Sequence, residues 1–152
     1  MKKKCKRKVY PKINTIEWVK TKINPVDQEF LNKIRLRELA SLESIVKGNG
    51  TIQDWRELNY LLNFAEIMGE NGIGPEVLEV CKVAEEELIK SAKHYEKTKN
   101  MLLSGVGIQA IRDLIEFAQL QQSAVTAEIY DKMLVKTTQE IKRRGKNVVE
   151  LK

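Results

Sequence analysis

Apolar residues recur three and four positions apart along most of the chain after residue 24, and this spacing is typical of helices that bury one face. No stretch alternates polar and apolar residues in the manner of a β-strand. The breaks in the pattern fall at glycine- or proline-containing stretches, since these residues end or begin helices. The predicted helices cover about 25–47, 52–69, 75–98 and 108–144.

Local signals support these boundaries. Asn24 and Pro25 predict a helix start, with Asn24 as the capping residue. Thr51 and Asp54 have the spacing of a capping box. The 108–144 segment contains neither Gly nor Pro, so it is one long helix or two stacked helices with a kink that the pattern does not place. We therefore predict an all-α fold, an antiparallel bundle of about four helices with a long C-terminal helix.

Positive charge is concentrated at the start of the chain. Residues 1–23, hereafter the basic arm, contain nine lysines and arginines and one acid, which gives a net charge of +8. The remaining 129 residues carry 18 basic and 20 acidic side chains, or −2. This asymmetry predicts two parts, the basic arm at 1–23 and a helical bundle domain at 24–152.

Such an arm can neutralise phosphates and gain affinity by releasing counterions, and nearby aromatic rings can stack on bases. A second basic cluster lies at 142–146, at the end of the long helix. The residues predicted to bind nucleic acid or another partner are Lys2, Lys3, Lys4, Lys6, Arg7, Lys8, Tyr10, Lys12, Trp18, Lys142, Arg143, Arg144 and Lys146.

Other interpretations of the arm stay open. It could be a solvated terminus that keeps the protein in solution, a contact for an acidic protein, or a nuclear-import signal. The acidic run from Glu76 to Glu87 could mimic nucleic acid, so the alternative function is a protein-binding inhibitor or adaptor that acts through the bundle surface. Self-association through the long helix is a third hypothesis. The polar residues Gln119, Gln121, Gln122 and Ser123 form either an exposed face or a partner-binding groove.

No set of residues predicts catalysis, a metal site or a cofactor. The chain has two cysteines, Cys5 and Cys81, and one histidine, His94, far from Cys5 in sequence. So few cysteines indicate a reducing, cytoplasmic setting rather than a disulfide scaffold. No apolar run approaches the length of a membrane span, so we expect no membrane insertion. We predict that the protein is not an enzyme and needs no cofactor.

Three weaker patterns would indicate other functions. The segment Gly105 to Ala110 matches the form G-x-G-x-x-A of a dinucleotide fingerprint, but a helix rather than a strand precedes it. The run Glu85-Glu86-Glu87 is expected to be a solvated face, because consecutive helical residues point in different directions. The break at Gly48–Gly50 could be a helix-turn-helix, although the helix after it is not basic.

The opening Lys6-Arg7-Lys8-Val9-Tyr10-Pro11-Lys12, followed by a helical body, resembles a group of small uncharacterised proteins encoded by phages and prophages of proteobacteria. The resemblance covers about ten residues and the general layout, and it carries no catalytic residues. It implies an accessory role, either in handling nucleic acid or in interfering with a host protein such as a defence complex. The expected partners are therefore nucleic acid or a nucleoprotein, or a host protein.

Overall fold

Five helices follow one another in the computed structural model, which describes residues 24–144. They are α1 (Gln28–Val46), α2 (Ile52–Glu70), α3 (Val77–Thr98), α4 (Gly105–Ser123) and α5 (Ala127–Arg144). No strand is present among these residues; one isolated antiparallel bridge joins Pro25 to Thr126. The all-helical prediction is confirmed, and the count is five helices rather than four.

The extra helix arises because the predicted 108–144 segment divides at residues 124–126. Val125 and Thr126 are both buried, and the Ala127 N–H donates to the Asn24 carbonyl oxygen at 3.1 Å. The Thr126 hydroxyl accepts a hydrogen bond from the Ile129 N–H at 3.2 Å, which caps the first turn of α5. Tertiary contact rather than glycine or proline thus breaks the helix, and of the two predicted arrangements the divided one is observed.

The same contact displaces the start of α1. The carbonyl oxygen of Asn24, the predicted cap, accepts a hydrogen bond from Ala127, and Pro25 forms the β-bridge with Thr126. The backbone therefore does not become helical until after Asp27. The Asp27 carboxylate then accepts from the Glu29 N–H at 3.0 Å and caps the helix. The Thr51–Asp54 capping box of α2 is confirmed, with hydrogen bonds running in both directions.

Helix α2 lies at the centre of the fold and packs against each of the other four helices. Leu58 and Leu62 belong to a main core built with α1, α3 and α4, whereas Phe64 and Met68 belong to a second core built with α5 and the start of α1. Apolar burial of this kind is the main stabilising contribution to folding. One helix therefore joins two cores and determines where α5 is attached.

A buried glutamine fixes the connection between α2 and α3. The Gln121 side-chain Nε2 donates to the carbonyl oxygens of Ile73, at 2.7 Å, and of Ala65, at 3.2 Å. Gly74, with a φ of +58°, approaches so closely that a Cβ there would lie 3.0 Å from the Gln121 Cγ. Gln121 and Gln122, two residues of the predicted polar patch, are thus buried and do not form an exposed face.

We expect Gln121→Met to destabilise the fold by about 1 kcal/mol, because the substitution keeps the length of the side chain but removes the donor for two carbonyl oxygens. Urea unfolding followed by circular dichroism measures the change. Gln139→Met, at an exposed position of α5, is the matched control. Equal stability of the two variants would contradict a structural role for the Gln121 amide.

Candidate nucleic-acid interface

Three of the predicted contact residues lie in the described part of the chain. Lys142, Arg143 and Arg144 form the last turn of α5, where cations interact favourably with the helix dipole. The other predicted contact residues lie outside the described residues; they are Lys2, Lys3, Lys4, Lys6, Arg7, Lys8, Tyr10, Lys12, Trp18 and Lys146. Cys5 is also outside them.

The two arginines at the end of α5 are already paired with carboxylates. The Arg143 Nη2 donates to the Glu140 carboxylate at 2.6 Å, and the Arg144 Nε donates to the same carboxylate at 2.9 Å. The Arg144 Nη2 donates to the Glu66 carboxylate of α2 at 3.3 Å. Hydrogen bonding from Arg143 is the main cause that lowers the pKa of Glu140. The Arg144–Glu66 pair ties α5 to α2, and all three pairs reduce the positive charge that the turn offers to a phosphate.

Lys142 differs from its two neighbours. Its side chain is exposed, and no carboxylate within residues 24–144 lies within ion-pair distance of its ammonium group. Of the second basic cluster, Lys142 is therefore the described residue best placed to contact a polyanion. A single exposed ammonium adds one phosphate contact, which is a small part of a salt-dependent interface.

We expect the double variant Arg143→Gln, Arg144→Gln to bind nucleic acid within about threefold of the unmodified chain, because Glu140 and Glu66 offset the positive charge of the two guanidinium groups. Fluorescence anisotropy with a labelled oligonucleotide measures the affinity, and circular dichroism checks that α5 stays folded. A tenfold or larger loss with the fold intact would show that the arginines exchange their carboxylates for phosphates.

The acidic surface of the bundle lies on α3. Glu76, Glu79, Glu85 and Glu86 are exposed, as predicted. Glu87 is only 8% exposed, which corrects the expectation that the whole run is solvated. Residues 24–144 contain 19 acidic and 16 basic side chains, a net charge of −3. The described domain therefore has the opposite sign of charge to the basic arm.

The glycine-containing segment at 105–110 is the first turn of α4. The Ser104 hydroxyl accepts from the Gly107 N–H at 3.0 Å and donates to the Glu87 Oε2 at 2.5 Å. Hydrogen bonds from Lys90 and then Ser104 lower the pKa of Glu87. A Cβ at Gly107 would lie 3.0 Å from the Glu87 Cβ, so the glycine allows α3 and α4 to approach closely. A helix and a loop rather than a strand precede this turn, and the Glu87 carboxylate bonded to Ser104 would repel a phosphate there.

Helix α2, which follows the suspected helix-turn-helix break, is enclosed by its neighbours. Trp55 is buried in its first turns, and its Nε1–H donates to the Leu88 carbonyl oxygen of α3 at 3.0 Å. A recognition helix needs an unpacked face that enters the major groove. Packing on α1, α3, α4 and α5 leaves only Gln53, Arg56, Tyr60 and Glu70 of α2 exposed, which is a narrow face for that role.

The Cys81 thiol of the described domain lies in surroundings that disfavour its thiolate form. Burial is the main cause that raises the pKa of the Cys81 thiol to about 12, and the carboxylates of Glu66 and Glu85 act in the same direction. At neutral pH this thiol is protonated, whereas the thiolate is the reactive form. Within residues 24–144, no three His, Cys, Asp or Glu side chains come together as they would around a metal ion.

None of the helices in this part of the chain is long and apolar enough to cross a membrane. Comparison with known proteins found no matching family model, no matching curated protein and no matching solved structure. The resemblance to phage-encoded proteins therefore stays a prediction.

Proposed function

We propose that this protein is a non-enzymatic binding protein, an accessory of a phage or mobile element, that contacts nucleic acid or a nucleoprotein through the basic arm. The observation that carries the proposal is the separation of charge between the two parts of the chain. The arm carries +8 over 23 residues, and the described domain carries −3 over residues 24–144. The arginines of the second basic cluster are paired with Glu140 and Glu66, so the arm is the main cationic segment of the chain.

The helical domain would act as a rigid support for the arm. Asn24, the first described residue, is hydrogen bonded to Ala127, and Val26 is buried in the second core. The arm is therefore joined to the domain at the α4–α5 connection. Contacts between lysines and phosphates depend strongly on salt and little on sequence. Tyr10 and Trp18 would add stacking on unpaired bases, which favours single strands over duplexes.

The test is a fluorescence anisotropy titration of the full chain with random-sequence single- and double-stranded DNA and RNA, at 50 and 200 mM salt. We expect micromolar or tighter binding at low salt, weaker binding at high salt, and loss of binding when residues 2–8 are deleted. Absence of binding to all four nucleic acids at low salt would refute the proposal.

A second candidate function is a protein-binding inhibitor or adaptor that acts through the bundle surface. Two observations favour it, the exposed acidic face of α3 and the exposed leucines of α1 and α4, of which Leu36 is 67% exposed and Leu120 is 68% exposed. Binding through this surface would survive deletion of residues 2–8. The same deletion variant therefore separates the two candidates.

A further inference from the structure

A shallow groove with apolar walls and an acidic rim runs between α3 and α4. It encloses about 610 Å³, and it is lined by Glu79, Val80, Val83, Gly105, Val106, Gln109, Ala110 and Asp113. Val106 is 62% exposed and Val83 is 40% exposed, although both are apolar. The lining contains two carboxylates and no lysine or arginine. A ligand that matches this groove combines apolar side chains with positive charge.

The basic arm has that chemistry. It contains nine basic residues, and after Pro11, which is tolerated in the first turn of a helix, Ile13, Ile16 and Val19 follow one another at intervals of three. This spacing is typical of one face of a helix, which is the form in which an amphipathic segment enters an apolar groove. The two carboxylates of the rim would then face lysines such as Lys12 and Lys20.

The arm is also long enough to reach the groove. Asn24 is bonded to Ala127 at the C-terminal end of α4, and the groove lies along residues 105–113 at the other end of that helix. At 1.5 Å per helical residue the separation along α4 is roughly 15–30 Å. With residues 13–19 helical, the backbone from Val19 to Asn24 spans at most roughly 17–18 Å and the helix adds roughly 9 Å, so the arm reaches the groove from its Asp113 end. Because the two partners belong to one chain, their effective concentration is high and weak contacts suffice.

We propose that the basic arm docks into the α3–α4 groove of its own chain and is thereby withheld from nucleic acid. The reduced binding of nucleic acid rests on the function proposed above, whereas the docking of the arm does not, because docking needs no nucleic acid. Phosphates compete with Glu79 and Asp113 for Lys12, which is one of the residues predicted to bind nucleic acid. The apparent affinity for nucleic acid is then reduced by the fraction of molecules in which the arm is docked.

Cys5 provides a probe of docking in the full chain. Cys81 is 3% exposed, so we expect a thiol-reactive nitroxide to modify Cys5 in the arm and to leave Cys81 unmodified. The variant Cys5→Ser, which retains only Cys81, should then take up no nitroxide. With the label on Cys5, we expect the amide NMR signals of Val83, Val106 and Gln109 to broaden more than those of residues near Asn24. Broadening that is strongest near Asn24 and decreases with distance from it would refute docking, since a free arm stays close to its attachment point.

Charge substitutions test the contribution of the rim. In the variant Glu79→Gln, Asp113→Asn we expect the broadening at the groove to decrease and the affinity for nucleic acid to rise about threefold or more. The matched control, Glu43→Gln with Glu128→Gln, removes the same charge from exposed positions outside the groove. An equal rise in affinity in both variants would contradict docking, because it would reflect the net charge alone.

A mixing experiment distinguishes docking within one chain from docking between chains. Isotope-labelled chains without a nitroxide are mixed with unlabelled chains that carry it. We expect no broadening at Val106 in the mixture; broadening there would show that the arm enters the groove of a second copy and would overturn the intramolecular proposal. If the full chain binds no nucleic acid while the broadening at the groove persists in singly labelled chains, the proposed function fails and the docking stands.

Discussion

Replacing Glu38 with glutamine is expected to stabilise the protein at pH 8 by up to about 3 kcal/mol and to change its stability little at pH 4. Glu38 lies on α1 and is only 8% exposed. Burial raises the pKa of its carboxyl group from the usual 4.5 to about 7; Arg37 opposes this rise, and Glu57 adds to it. The folded protein therefore favours the protonated, neutral form of Glu38.

The sign of the pH dependence follows from this raised pKa. Below about pH 4.5 the group is protonated in both the folded and the unfolded state and has no pH-dependent effect on stability. Between pH 4.5 and about 7 the unfolded chain releases the proton while the folded chain keeps it, so stability falls as pH rises. Above pH 7 the decrease in stability is complete. A glutamine at position 38 is neutral at every pH, so the variant does not show this decrease.

Urea unfolding at pH 4, 6 and 8 measures this effect. The control is Glu43→Gln, on the same helix, where a hydrogen bond from Lys47 lowers the pKa of an exposed carboxyl group. We expect that control to lack the gain at pH 8. If Glu38→Gln has the same pH profile as the unmodified protein, folding does not raise the pKa of the Glu38 carboxyl group, contrary to our account.

The second large effect concerns the arm. Replacing its first six basic residues with glutamine is expected to weaken nucleic-acid binding by about a hundredfold or more at 50 mM salt. The substituted residues are Lys2, Lys3, Lys4, Lys6, Arg7 and Lys8. If all six neutralise phosphates, the slope of log affinity against log salt becomes shallower by about 5, since each phosphate contributes about 0.9 on duplex DNA. Anisotropy titrations at four or more salt concentrations give the slope.

The matched control removes six positive charges from the exposed surface of the helical domain. It replaces with glutamine the residues Lys33, Lys47, Lys93, Lys97, Lys132 and Lys136. We expect the slope of this variant to change by less than about 1, because these lysines make no phosphate contact. Equal changes in the two variants would indicate that net charge rather than the arm governs binding.

The helical nature of the domain was predictable because it depends on local spacing and local caps. The Thr51–Asp54 box is formed by residues three apart and is observed where the pattern placed it. The position of the division at 124–126 was not predictable, since no glycine or proline marks it. It depends on Val125 and Thr126 packing near Asn24 and Pro25, which lie about a hundred positions earlier in the sequence.

Polar side chains were the least predictable feature, because their partners are distant in sequence. Glu87 was expected in solvent but donor groups on Ser104 and Lys90 hold it at the α3–α4 contact. The polar patch at 119–123 contains Gln121, whose partners Ala65 and Ile73 lie on α2 and on the loop after it. Composition alone cannot distinguish a buried, bonded polar group from an exposed one.

Prediction of the candidate interface is limited in the same way by partners that are distant in sequence. The difference in net charge between the arm and the rest of the chain is a property of composition, so the sequence predicts it directly. The pairing of Arg144 with Glu66 joins residues 78 positions apart and becomes visible only in the folded domain. That pairing shifts the predicted interface from two basic clusters toward the arm.

Photo-crosslinking of the full chain to a random oligonucleotide tests the central claim most directly. A protease that cuts after glutamate releases residues 1–17 as one peptide, because Glu17 is the first acid of the chain, and residues 18–29 as the next. We predict that mass spectrometry finds the crosslinked nucleotide on peptide 1–17, with a minor share on the peptide that contains Trp18. Crosslinks confined to peptides from residues 30–144 would contradict the account.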